Sequence, residues 1–90
     1  MVFEISKHAH DRMRERDIPD PHKVSLRVAK KKAKKLIVKQ CKKHGYDNSY
    51  LYMRTNDRDL SSRIVYVCKV IGLRHYKVIT AFHLQYDLIQ

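Results

Sequence analysis

Residues 63–84 read RIVYVCKVIGLRHYKVITAFHL, and this stretch decides the fold. Two runs, 63–71 and 74–84, are rich in β-branched and aromatic residues, the types that fit a pleated surface, and Gly72 stands between them. The pattern predicts two long strands joined by a tight turn at Gly72, an antiparallel hairpin. Working back along the chain, residues 50–54 (YLYMR) form a further strand, with Thr55 to Ser62 as the connecting turn. Leu36, Ile37 and Val38 fit a helix or a strand by period alone; we expect a strand over 36–41, followed by a loop of turn formers from Lys42 to Ser49.

Ahead of these lie two helical signals. Residues 2–5 (VFEI) are β-prone, and Ser6, a good N-cap, precedes a run of helix formers, predicting a first helix over 7–16. Ile5, Ala9 and Met13 recur every four residues and make its buried stripe; His8, Arg12 and Arg16 recur at the same spacing on a neighbouring face. Pro19 and Pro21 break this helix, and Asp20 with Pro21 reads as the N-cap and first position of a second helix over 21–35. The expected architecture is α+β, with two N-terminal helices packed on a three- or four-stranded antiparallel sheet. Ninety residues make one domain, 1–90, with Tyr86 to Gln90 as a tail that frays.

Composition narrows the function. A hydrophobic fraction of 43% is enough for a core and excludes a disordered chain. Twenty Lys and Arg against nine Asp and Glu give a net charge of +11, a field that attracts polyanions. The excess is clustered. Arg27, Lys30, Lys31, Lys34 and Lys35 crowd one short segment, where like charges repel unless a polyanion neutralises them; a solvated lysine face is the plain alternative. We therefore expect a nucleic-acid partner, RNA favoured, with these five residues on its backbone. No apolar run approaches the roughly 18 residues a membrane span needs, and no signal segment follows Met1, so a cytoplasmic protein without a membrane partner is expected. Cys41 and Cys68 read as small buried hydrophobes; Cys41-x-x-His44 lacks a second pair at zinc-site spacing, so no metal or other cofactor is expected.

Two features could carry chemistry: the His8, Arg12, Arg16 row, and His75 and His83 on the last strand. RNA cleavage by side chains alone needs a base for the 2′-hydroxyl proton, an acid for the leaving 5′-oxygen, and cations on the phosphate. Histidine does either proton transfer near neutral pH, and the arginine fork matches a phosphate. Tyr46, Tyr50, Tyr52, Tyr66 and Tyr76 offer stacking surfaces for bases, or pack the strands.

Ser6-Lys7-His8-Ala9 followed by Arg12-Met13, Arg16 and Ile18 resembles the S-x-H-A-x-x-R-M-x-x-R-x-I opening of a family of small proteins of unknown function from bacteria, phages and mobile elements, and Val78-Ile79-Thr80 is similar to that family's closing strand. The resemblance implies a ribonuclease-like fold of the barnase, EndoU, colicin and RelE group. It also implies a site of His8, Arg12 and Arg16 with Thr80 opposite on the sheet; His83 is added from its place on the same strand. Asp17 stands where that pattern has glycine. The leading expectation is a metal-independent endoribonuclease of the small toxin type, with an antitoxin or host enzyme as a possible protein partner. The alternatives are a non-catalytic nucleic-acid-binding or regulatory protein, and a module that inhibits an acidic host protein.

Overall fold

The hairpin forms the centre of the molecule. In the computed structural model, which describes residues 1–55 and 63–84, strands β4 (Ile64–Gly72) and β5 (His75–His83) pair antiparallel. The two-residue turn is Leu73-Arg74, one residue beyond the expected place, and Gly72 still pairs with His75. Arg74, the second residue of that turn, takes a positive φ of 54°. Val67 pairs Thr80 and Cys68 pairs Val78, which leaves Ile79 as a bulge.

Three further strands complete the sheet: β1 (Val2–Ile5), β2 (Leu26–Val28) and β3 (Leu51–Thr55), in the order β1-β5-β4-β3-β2. β2 and β3 join antiparallel, but β1 runs parallel to β5, Val2 opposite His75 and Ile5 opposite Val78. The sheet is thus mixed and five-stranded, which corrects the expected antiparallel sheet of three or four strands. The expected pair of N-terminal helices is corrected too: α1 (Lys7–Glu15) follows β1, and α2 (Lys31–Cys41) follows β2.

The two helices cover opposite faces, because alternate strand residues point opposite ways. Met53, Tyr66, Cys68, Val78 and Ala81 meet Ala9 and Met13 of α1, with Phe3 and Ile18, in one core. Tyr52, Val65 and Val67 meet Ile37 and Cys41 of α2, with Ala29, in the other. Both cysteines are buried and free.

The expected helix over 21–35 holds only for 31–35, the start of α2; before it come a 3₁₀ turn, Pro21–Lys23, capped by the Asp20 carboxylate accepting from the His22 backbone N–H at 2.8 Å, and then β2. Val24, Leu26 and Val28 alternate with polar residues, a strand period; Val24 and Leu26 pack against the α1 core. The expected strand over 36–41 is instead the second half of α2. Ala33, Ile37 and Cys41 recur every four residues, and burying that stripe outweighs the β preference of Ile37 and Val38. Of the expected turn from Thr55 to Ser62, Thr55 is the last residue of β3; residues 56–62 and the tail from Tyr86 to Gln90 lie outside the described residues. No helix among the described residues is long and apolar enough to cross a membrane.

Candidate functional site

α1 is held at both ends. At its start the Ser6 hydroxyl accepts from the Ala9 N–H at 3.0 Å, an N-cap. At its end the Ile18 N–H donates to the Met13 carbonyl and the Asp17 N–H to the Arg14 carbonyl, the paired bonds that close a helix through a left-handed residue. Asp17 is that residue, with φ 55°; aspartate tolerates this region better than most side chains, so the position can lack glycine. Ile18 and Met13 pack in the same core and secure the exit.

β1 reaches only the first half of β5, so β5 has an unpaired outer edge beyond Val78. α1 fills that edge. The Ser6 N–H donates to the Val78 carbonyl at 3.2 Å, the Arg16 Nη1 donates to the Ala81 carbonyl at 2.7 Å, and His83 Nε2 lies 2.7 Å from the Arg16 carbonyl. A carbonyl only accepts, so His83 carries its hydrogen on Nε2 in this contact. With Ala9 and Met13 turned into the core, the stripe of His8, Arg12 and Arg16 faces across the end of β5 towards the end of α2.

A cleft of about 700 Å³ lies there. From α1 it is lined by His8, Arg12 and Arg16, and from β5 by Thr80, Phe82 and His83. All five residues expected at a catalytic site therefore border one cavity. Its other wall was not anticipated: Lys39 near the end of α2, Lys43 and His44 in the following 3₁₀ turn (Lys42–His44), and Tyr46. Gly45, at φ 88°, makes the left-handed turn between His44 and Tyr46. Lys39 and Lys43 stand four apart in sequence, a signal visible once the helix is known to run to Cys41.

Among the described residues the lining holds four permanent cations and no carboxylate. Arg12 pairs with Glu15 at 2.8 Å, but both are well exposed, and such a pair is worth little. A guanidinium has five donor hydrogens, so Arg12 and Arg16 each keep donors for a ligand beyond their present partners. His8 and His44 are exposed and make no hydrogen bond or ion pair among the described residues. Burial pushes the Tyr46 phenol above its ordinary range, with Tyr50 and Cys41 adding to the shift and the Arg16 and Arg12 charges opposing it. Tyr46 is thereby kept protonated, as a hydrogen-bond donor. Thr80 is buried, paired to Val67.

The five residues expected to hold a nucleic-acid backbone do not line this cleft. Arg27 is on β2 opposite Arg54; Lys30 is the residue before α2; exposed Lys31 and Lys35 lie on α2. Lys34 donates to the Asn48 carbonyl at 3.1 Å and borders a second cavity. Comparison of the chain with protein-family models, curated proteins and solved structures finds no match. By its chemistry the cleft can neutralise a phosphate, and it can offer two imidazoles for proton transfer.

Proposed function

We propose that the protein binds RNA and cleaves it as a metal-independent endoribonuclease of the small toxin type, acting in the cytoplasm. The observation that carries this reading is the meeting of His8, Arg12 and Arg16 with Lys39, Lys43 and His44 in one cleft. One imidazole takes the proton from a 2′-hydroxyl, whose oxygen then attacks the adjacent phosphorus; the other gives a proton to the departing 5′-oxygen. His8 takes one of these roles and His44 the other. Arg12 and Arg16 stabilise the charge that grows on the phosphoryl oxygens, and Lys39 and Lys43 hold neighbouring phosphates. Tyr46 donates a hydrogen bond to the same region. The reaction needs no group beyond these side chains, and its products are a 2′,3′-cyclic phosphate and a free 5′-hydroxyl. Incubating purified protein with labelled RNA in EDTA tests it: cyclic-phosphate ends are expected, and intact RNA at protein excess contradicts the reading.

One observation favours a second reading. His8 lacks the orienting partner that catalytic bases commonly have, as a surface used for binding alone would. A non-catalytic RNA-binding or regulatory protein would shift labelled RNA without cutting it. An acidic protein partner, such as an antitoxin, would compete with RNA for the same cations.

A further inference from the structure

A second cavity of about 540 Å³ lies beside the cleft, bordered by Lys34, Asn48, Tyr50, Leu51, Lys69 and Val70. One pair of rings separates the two: Tyr46 borders the cleft and Tyr50 the second cavity, and they meet edge to face at 5.2 Å. We propose that this cavity is a second nucleotide subsite, which takes the base and phosphate adjoining the scissile phosphate in a single-stranded RNA. The proposal rests on the reading of the cleft as an RNA site and names how the strand leaves it.

The lining has the parts that an unpaired nucleotide needs. Tyr50 offers a ring for stacking, which serves any base because every base has a π-face. At present the Lys69 ammonium lies 5.6 Å from the centre of that ring, held by cation–π attraction. A base that takes the ring releases Lys69 to a phosphate. Lys69 sits opposite Lys77 across the β4–β5 ladder, a like-charge pair that costs stability unless an anion lies over it. Lys34 is the one member of the lysine-rich segment that borders this cavity, and its bond to the Asn48 carbonyl positions that loop. The side-chain amide of Asn48 can both donate to and accept from a base edge. As in the cleft, no carboxylate among the described residues lines the cavity. An acidic peptide would satisfy the lysines but leave the Tyr50 ring unused, so the nucleotide is the better fit.

The test measures binding, not cleavage, by fluorescence anisotropy of the full chain with labelled 2′-O-methyl oligonucleotides, which cannot form the cyclic product. Affinity is expected to rise sharply as length increases from two to six nucleotides. Tyr50→Leu should weaken the hexamer about tenfold, the effect of losing one stacked base, and leave the dimer unchanged. Lys69→Gln, at an exposed position that does not threaten folding, should lower the hexamer's salt slope by about 0.7. Hexamer binding untouched by Lys69→Gln and by Asn48→Ala, but weakened by Lys39→Gln, overturns the subsite while leaving the cleft's role standing. A poly-glutamate peptide that binds as tightly as the hexamer, with the same loss in Lys69→Gln, also overturns it. Length-dependent binding without cleavage of ordinary RNA supports the subsite and removes the nuclease reading.

Discussion

Replacing lysines at two places, the outer surface of α2 and the cleft wall formed by the end of α2 and the turn after it, separates an RNA lying in the cleft from one lying on the helix's outer surface. Arg12, Arg16, Lys39 and Lys43 line the cleft, whereas Lys31 and Lys35 border neither cavity. Each phosphate neutralised on a single strand contributes about 0.7 to the slope of log affinity against log salt, so four cleft cations give a slope near −2.8. Raising salt from roughly 50 to 200 mM then costs about 50-fold in affinity; adding Lys34 and Lys69 brings the slope to about −4.2 and the loss to about 300-fold. Lys39→Gln with Lys43→Gln should flatten the slope by about 1.4, and Lys31→Gln with Lys35→Gln should leave it unchanged. All four positions are on helix or turn surfaces, so both double variants should fold, which circular dichroism would check. The assay is anisotropy of a labelled uncleavable oligonucleotide across a salt series. A larger loss of slope from the Lys31 and Lys35 pair than from the Lys39 and Lys43 pair would refute the placement of RNA in the cleft.

Other consequences concern the frame that holds the site. Ser6→Ala removes the N-cap of α1 and should cost about 1 kcal/mol in urea unfolding; an unchanged midpoint would show that the cap contributes nothing. Tyr66, fully buried, donates to the Pro19 carbonyl at 2.7 Å, so Tyr66→Phe should cost about 1–2 kcal/mol, and a change near zero would mean that water replaces the phenol. Burial pushes the Cys68 thiol up to about 12, so the folded chain keeps its proton where the unfolded chain loses it. That contribution is complete below the ordinary thiol range and lost as pH climbs towards the folded value. Stability should therefore fall by about 1.4 kcal/mol per pH unit for this group above pH ~8.5. Urea titrations between about pH 8 and pH 11 should show a shallower fall in Cys68→Ala than in the parent, and equal falls would place the thiol in contact with solvent.

The parts of the fold that local pattern determines were legible. The β4–β5 hairpin, the Ser6 cap and the stripe of His8, Arg12 and Arg16 all follow from spacing within a few residues. The parallel pairing of β1 with β5 was not, because its partners are more than seventy residues apart and nothing in VFEI marks direction. β2 is three residues long inside a segment rich in lysine and arginine, and Val28 and Ala29 also share a helical face with Ala33 and Leu36, which masks the strand period. Misplacing that helix hid the second wall of the cleft: with 36–41 taken as a strand, Lys39 and Lys43 share no face, and His44 falls in a loop. Charge density drew attention to Lys30, Lys31 and Lys35, but burial of Ile37 and Cys41 sets which lysines reach the cleft.

The most direct measurement is cleavage of end-labelled RNA in EDTA by the parent protein and by His8→Ala side by side, with oligonucleotide affinity measured on both. The account predicts cyclic-phosphate products from the parent, loss of those products in the variant, and closely similar affinities. Equal cutting by the two proteins, or no cutting by either, would contradict the assignment of proton transfer to His8.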